Sequence, residues 1–584
     1  MAELESKKGV SRRTFIKGSV AGAGAVAAFG LGAVKTEAAS IPKKWNVEAD
    51  VIVLGFGGAG ACAAIEAADA GAKVLILEKQ PQNKLINNTR MSGGIYHSPD
   101  PTGDRQALKA YAKAMFSGEN IPGKLEGEQP DVSDGLAEAW AEYAPQNVAW
   151  LKKLDPAYNT VAFSRFSGAA FPTFPGAKES KYRVFGSSFT DKADFAIPTM
   201  NEPKSRKMNG EAFFTVLREA VEKRKPRILW ETPAKRLVLS DKGEVIGVVG
   251  KGKDGKEVFC KAKRAVIITT GGYEDSLPMR RAFLEGPGVE GWAFYGTPEN
   301  TGDGIAMAMM AGAGLAKVGK AASRIIMAVP IRHHGLKMGL ITDSVGGKNS
   351  IVIDNYGNRY AAETLVTTDP SRYFFYKEAI KFDITNLTYP RVPSWMVFDE
   401  TLRANVTITS MGISTAGFGL VPWTKDNMDA VKRGWIMQAD TIEGLAGKIK
   451  EHKENLGKMV PGNLVKTVNR FNEFCKAGKD ADFDRRPGTL GPVEKPPFYA
   501  LPLYAGGPNT KGGIECNAKR EVLDWAGKPI PRLYTAGEIS SALKFVYQGG
   551  GNLTECIVFG RIAGRNAAAT DWSTSRVSMA PQMP

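Results

Sequence analysis

Uninterrupted apolar runs separated by glycine are the clearest pattern in this chain. Residues 49–79 read ADVIVLGFGGAGACAAIEAADAGAKVLILEK, which predicts a strand, a glycine turn, an alanine-rich helix and a second strand. Strands without polar alternation are those of a parallel sheet covered on both faces. From Arg236 to Ile267, shorter apolar stretches are punctuated by Asp241-Lys242-Gly243 and Asp254-Gly255, the turn signals of antiparallel strands. A further strand follows at Ala265–Tyr273, AVIITTGGY, and strand–turn–helix patterning returns between Leu533 and Ala569. Residues 40–48, SIPKKWNVE, read as a linker. Residues 159–200, rich in aromatic residues, Gly and Ser, read as long loops able to wall a substrate site, and 477–497 read as another loop. No internal repeat is visible.

The N-terminus has a different pattern. Ser11–Lys17 is SRRTFIK, followed by a Gly/Ala-rich apolar run of 17 residues. Arg12 and Arg13 before such a run match a twin-arginine export signal, residues 1–39, with cleavage expected near Ala38–Ser40. The run is short and weakly hydrophobic for a spanning helix, and no other run is long enough to cross a bilayer. The expected location is therefore periplasmic or otherwise exported. The alternative is an N-terminal membrane anchor.

Composition adds little beyond a charge. The 584 residues suffice for two or three domains, and the net charge is +16. A basic balance favours anionic partners or substrates. No basic helix with interleaved aromatics and no nucleic-acid motif is present, so nucleic acid is not an expected partner. Cys62, Cys260, Cys475, Cys516 and Cys556 form no cluster and no C-x-x-C-H. That excludes an iron–sulfur site and an attached c-type haem on this chain, and no metal site is expected. The cysteines read as small buried side chains.

The chemistry lies in the glycine turn. Gly55, Gly57 and Gly60 satisfy G-x-G-x-x-G between a strand and a helix, and Glu78 ends the next strand 18 residues after Gly60. Glycines let the backbone approach a pyrophosphate, the helix N-terminus supplies N–H groups and positive dipole, and the acid accepts from a ribose hydroxyl.

Further motifs occur in a fixed order: NNTRMSGG (Asn87–Gly94), TTGGY (Thr269–Tyr273), NTGDGIAMA (Asn300–Ala308), DNYGNRYAAE (Asp354–Glu363), TKGGIE (Thr510–Glu515) and LYTAGE (Leu533–Glu538). With them, residues 48–571 resemble the fumarate reductase flavoprotein family, which includes exported fumarate and urocanate reductases and the 3-ketosteroid dehydrogenases. The resemblance implies an α/β fold: a Rossmann-like FAD-binding domain, residues 46–325 and 505–571, interrupted by an α+β capping domain at 326–504. It implies FAD in an extended pose, with Gly55, Gly57, Gly58, Ala59 and Gly60 at the pyrophosphate and Glu78 and Lys79 at the adenosine. Asn88, Thr89, Ser92, Gly93 and Gly94 fall on the flavin side, Ala234 by the adenine, Glu538 by the ribityl chain, and Asn552 and Leu553 by the pyrimidine. Thr270, Gly271 and Asp303 complete the set. No histidine stands in NNTR, where some members attach FAD covalently, so the cofactor is expected to be non-covalent.

Departures from the family narrow the substrate. At the positions of the fumarate reductases' arginine acid, substrate histidine and substrate arginine, this chain has Thr367, Asn509 and Gln548. Neutral side chains do not replace an arginine fork on a carboxylate, so a dicarboxylate is disfavoured. The stretch VYQGGG instead fits the Tyr-x-Gly-x-Gly of ketosteroid dehydrogenases, where Tyr547 and the Gly551 N–H would hold a ketone oxygen. A tyrosine packed under the loop is the other reading. Arg372 and Tyr373 follow the altered arginine position and stand as proton donors or as packing on a cap helix, and His334, beside His333, as substrate contact or solvent-facing residue. Asp343 matches a relay acid, but Gly346 stands where the relay arginine would be.

The expectation is an exported FAD oxidoreductase acting on a C=C or CH–CH bond conjugated to a carbonyl. Flavin N5 exchanges hydride with the β-carbon, and a separate cytochrome c supplies electrons. The alternatives are a dehydrogenase of a ketosteroid or terpenoid ketone and, outside enzymes, an exported flavin electron carrier.

Overall fold

The computed structural model describes residues 41–117, 132–163, 174–185, 209–364, 372–544, 547 and 549–570. The export-signal stretch lies outside them.

The expected strand–helix–strand unit forms Val47–Leu54, the helix Gly58–Asp69 and Val74–Leu77. The first strand starts two residues inside the expected linker, because Val47 pairs with Cys260 and the Asn46 N–H donates to the Phe259 carbonyl. Five strands are parallel, in the order Pro529–Thr535, Glu257–Ile268, Val47–Leu54, Val74–Leu77 and Arg227–Leu229. The hairpin Ala234–Leu239/Val245–Lys251 extends Glu257–Ile268 antiparallel, as the Asp-Gly turns require. Period-two geometry divides the first strand between two cores. Val51 and Val53 face the helices Gly58–Asp69 and Gly551–Ala569, while Ile52 and Leu54 join a cluster reaching Met327 and Leu501.

That second cluster is shared with a mostly antiparallel sheet. It contains Trp292–Phe294, Leu336–Leu340, Arg324–His333, Phe498–Gly507, Ser394–Asp399, Ser350–Ile353 and Met437–Ala439. The strand Leu315–Ala321 pairs with Thr510–Ile514 and ties the two regions together. The stretch read as loops at 159–200 holds two short strands, Thr160–Ala162 and Tyr182–Phe185, which pair with each other and with Tyr96–His97. Their mixed aromatic and glycine composition hid the pairing. Among the described residues, no helix is long and apolar enough to cross a membrane. All five cysteines are unpaired, with Cys62, Cys260 and Cys516 buried.

His97 gives a pH prediction. Its ring is fully buried, accepts at Nδ1 from the Trp140 indole N–H at 2.8 Å and stacks on Tyr182 at 4.7 Å. Burial holds its pKa down at about 3. The folded value lies below the unfolded one of about 6.5, so the stabilisation is intact above that pH and lost as pH falls toward about 3. The full window corresponds to about 4–5 kcal/mol. His97→Gln keeps an acceptor for Trp140, and its denaturant midpoint is expected to fall less steeply than wild type between pH 6.5 and 4. Parallel slopes would refute the assignment.

Candidate functional site

A cavity of about 1200 Å³ runs between the two sheets. That exceeds the roughly 300–1000 Å³ usual for one small ligand, so a dinucleotide and a second molecule fit together. The glycine turn forms one wall. Gly55 has φ +94°, and a Cβ there would sit 2.9 Å from the Thr269 carbonyl oxygen; a Cβ on Gly60 would lie 2.1 Å from the Gly55 carbonyl oxygen. These two glycines close the strand onto the helix. Gly57 is different: a Cβ there would meet only Asn87 Cβ at 3.9 Å, so its open side faces the cavity, lined also by Gly58 and Ala59.

Glu78 is placed by the end of its strand. Its carboxylate accepts from the Phe56 N–H at 2.8 Å and the Gln80 N–H at 2.9 Å. Burial raises its pKa, and these two N–H groups oppose the rise. Lys79 donates to Thr301 Oγ1 at 2.8 Å and to Asp303 Oδ2 at 3.0 Å, so Asp303 enters the wall as an ion-pair partner. Ala234, Thr270 and Gly271 also line the cavity.

A cluster of buried polar groups lies deeper. Asn88 Nδ2 donates to both Glu274 Oε1 and Glu538 Oε2 at 2.9 Å, and Asn300 Nδ2 reaches Glu274 Oε1 at 2.8 Å. Thr510 Oγ1 donates to Glu274 Oε2 at 3.1 Å. Burial pushes the Glu538 pKa well up, and the neighbouring Glu274 carboxyl pushes it further. A second negative charge beside Glu274 is therefore disfavoured at Glu538. Its Oε1 and the Thr270 hydroxyl are buried without hydrogen-bond partners, although both residues line the cavity. Orphaned polar atoms on a ligand wall fit a polyhydroxylated chain such as the ribityl of FAD. Thr89 lines the cavity too, with Oγ1 accepting from the Gly58 N–H at 3.1 Å. Ser92 and Gly93 reach the wall, while Gly94, at φ +67°, turns the chain behind it.

The loop before the last helix closes this end. Tyr547, Gly549, Gly550, Asn552 and Leu553 line the cavity, and Tyr547 is 7% exposed. Gly550 caps the helix in the left-handed region at φ +91°, and Gly551 packs on Leu543 rather than on the wall. The Lys511 ammonium sits 4.3 Å from the Tyr547 ring centroid, donates to Asn552 Oδ1 and lies 3.9 Å from Glu555. Burial lowers its pKa, against the pull of Glu555. Asn552 Nδ2 donates to Asn509 Oδ1 at 3.2 Å, which places neutral Asn509 on the wall.

The second sheet and the turns beside it supply the opposite wall, including Arg324 on a strand and Tyr295, Ile341, Asp343, Met411 and Ile413 in the adjoining turns. Arg324 was not legible as a site residue. Its only signal is a lone charge heading the apolar strand RIIMAVP. Glu274 and Lys511 were missed because their partners are distant in sequence.

His334 requires correction. It lies at the exposed tip of the hairpin Arg324–His333/Leu336–Leu340 with φ +46° and does not line the cavity, because the strand carries it outward. The side chains of Arg372 and Tyr373, at the start of the helix Arg372–Ala379, lie outside the described residues, as do Thr367 and Gln548. The DNYGNRYAAE motif is structural. Arg359 clasps Glu363 at 2.9 and 2.7 Å and Asp480 at 2.7 Å, all buried. Among the described residues, no group of three or more His, Cys, Asp or Glu side chains is arranged to hold a metal.

Comparison with known proteins agrees with this geometry. The family model described as FAD binding domain matches residues 50–553. A fumarate reductase (cytochrome) from Shewanella frigidimarina is 27% identical over 521 residues, covering 89% of this chain and 77% of that protein. A digoxin reductase from Eggerthella lenta is 26% identical over 621 residues, covering 97% and 98%. Among solved structures, the 3-ketosteroid Δ1-dehydrogenase of Sterolibacterium denitrificans superposes with a TM-score of 0.71 at 24% identity, covering 90% of this chain and all of that one.

Proposed function

The chain belongs to the FAD binding domain family, and from that premise we propose that it reduces a C=C bond conjugated to a carbonyl. FAD is its cofactor, and it is an FAD-dependent oxidoreductase acting on C=C or CH–CH bonds. The observation that carries the finer reading is Tyr547: a phenol buried on the cavity wall, directly before the glycine loop that caps the last helix.

Bound FAD supplies the two electrons, delivered as hydride to the β-carbon. The remaining work falls to the protein. Gly57–Ala59 and the helix behind them receive the pyrophosphate, Glu78 the adenosine ribose, and Glu538 and Thr270 the ribityl hydroxyls. Gly549, Gly550 and the first turn of Gly551–Ala569 present N–H groups to the pyrimidine edge, where Lys511 adds a positive charge nearby. Tyr547 donates its hydroxyl to the carbonyl oxygen as negative charge develops there. Ile341, Met411 and Ile413 give the cavity an apolar side. For the proton at the α-carbon, Arg372 and Tyr373 remain the candidates. The borders expected at 325/326 and 504/505 fall inside the strands Arg324–His333 and Phe498–Gly507, which pair in the second sheet, so the cap takes both strands whole and the rest of 46–325 and 505–571 serves as the FAD-binding part.

Export and a separate cytochrome donor complete the proposal, supported by the SRRTFIK stretch and by the absence of a haem-attachment motif. A second reading, dehydrogenation of a ketosteroid or terpenoid ketone, draws on the Tyr-x-Gly-x-Gly spacing from Tyr547 to Gly551. A steady-state assay with a reduced viologen separates the readings. Turnover of α,β-unsaturated acids or ketones supports reduction, whereas activity only in the direction of dye reduction by saturated ketones supports the second.

FAD is held without a covalent bond in this proposal. Acid precipitation is expected to release yellow flavin to the supernatant; colour retained in the pellet contradicts it. Glu78→Ala is expected to weaken FAD retention by about 1.5–3 kcal/mol, the value of a hydrogen bond to a charged group, measured by titrating apoprotein with FAD.

A further inference from the structure

Arg324 stands out among the charged groups of the cavity. It heads the strand Arg324–His333, its backbone paired with Gly506, and it is 8% exposed. Its Nε and Nη1 atoms are buried without hydrogen-bond partners. Other buried arginines have a carboxylate or carbonyl in reach: Arg90 clasps Glu211, Arg359 clasps Glu363 and Asp480, Arg485 donates to four backbone carbonyls, and Arg561, whose Nε and Nη1 also lack hydrogen bonds, lies 3.5 Å from Glu66. Arg324 has Tyr295 beneath it, 5.9 Å from guanidinium to ring centroid. Tyr295, Tyr547 and Asp343 are the groups whose charge reaches it, yet no ion pair within 4 Å joins it to any described residue. A buried, unpaired guanidinium is costly, and here its idle donors belong to a residue of the cavity wall.

We propose that Arg324 receives a carboxylate on the substrate, so that this cavity selects α,β-unsaturated monocarboxylic acids with an apolar β-substituent over neutral ketones. The proposal rests on the C=C reduction argued above. Three features fit a single anionic head with an apolar body. Asn509 on the wall is neutral, Ile341, Met411 and Ile413 offer hydrocarbon, and the wall's other cations are either paired, as Lys79 is with Asp303, or exposed to solvent, as Lys425 is. The chemistry gives Arg324 a further task. Hydride addition to the β-carbon of an enoate breaks the C=C π bond and moves its electron pair toward the carboxylate, which then carries nearly two negative charges. A neutral phenol suffices for a ketone enolate, but a doubly charged enediolate calls for a fixed cation. Protonation at the α-carbon completes the saturated acid, with both electrons coming from reduced FAD.

The test pairs cinnamate with its methyl-ketone analogue benzalacetone, and adds 3-phenylpropionate as a non-reacting carboxylate. Binding of 3-phenylpropionate is read from its perturbation of the oxidised flavin spectrum, which needs no turnover. In Arg324→Gln its Kd is expected to rise about 10- to 100-fold, as for loss of a charge-assisted contact, with partial recovery in Arg324→Lys. The kcat/KM for cinnamate should fall at least as far, and by at least 10-fold more than that for benzalacetone. FAD content and Tm of both variants serve as folding controls. Equal Kd values in wild type and Arg324→Gln, or wild-type preference for benzalacetone, would overturn the proposal and leave C=C reduction standing. Carboxylate binding that depends on Arg324, with neither olefin reduced, would sustain the receptor and overturn the reductase reading.

Discussion

Fumarate is expected to be turned over about 10²- to 10⁴-fold less efficiently than a monocarboxylic enoate, compared as kcat/KM with the same reduced dye. A dicarboxylate needs a cationic or strongly donating contact at each end, and each charge-assisted contact contributes about 1.5–3 kcal/mol. Two of them missing amounts to about 3–6 kcal/mol if roughly additive. Asn509 sits on the wall at 2% exposure with its amide oxygen already accepting from Asn552. It offers no charge to a carboxylate. Thr367 and Gln548, at the positions the resemblance assigns to the other two groups, are neutral as well. Of the cations on the cavity wall, Lys79 is paired with Asp303, Lys425 is exposed, and Arg324 alone is both buried and unpaired among the described residues. Fumarate efficiency equal to that of cinnamate would remove the charge argument and the correspondence of positions beneath it.

Tyr547→Phe is expected to lower kcat about 10²- to 10³-fold, the usual cost of losing one donor to a developing oxyanion. The ring stays, so packing changes little. Tyr547 is buried on the wall, and Lys511 lies 4.3 Å from its ring centroid. A cation over a phenol ring sharpens O–H donation by withdrawing electron density from the ring. The effect belongs in kcat more than in KM, because the contact strengthens as charge moves onto oxygen. FAD content and thermal midpoint should match wild type. Unchanged turnover in a fully flavinated variant would leave Tyr547 as packing beneath the loop.

Some of this site was legible in the chain and some was not. The glycine turn and Glu78 could be read because their geometry is local: a strand, a sharp turn and a helix within about thirty residues. Glu538 followed from the LYTAGE motif, although nothing in the sequence showed that Glu274 would lie against it in a buried site and raise its pKa. The partners converge from positions 88, 274, 300, 510 and 538, and only the folded chain brings them together. Arg324 was hidden for a related reason. An arginine beginning an apolar strand looks like a solvent-facing end until the second sheet packs it against the cavity. His334 failed in the opposite direction, since its place near the cap boundary said nothing about which way the hairpin would point. The short strands at 160–162 and 182–185 were lost because three- and four-residue strands carry too few side chains to show alternation.

The most direct test is a single anaerobic mixing experiment: enzyme reduced by dithionite, freed of excess reductant, and mixed with cinnamate or benzalacetone. The account predicts that the oxidised-flavin absorption returns in one phase with formation of the saturated product in a one-to-one ratio to FAD, and that fumarate leaves the flavin reduced on the same timescale. A flavin that no conjugated olefin reoxidises, but that a cytochrome c reoxidises at once, would contradict it and make the chain an electron carrier.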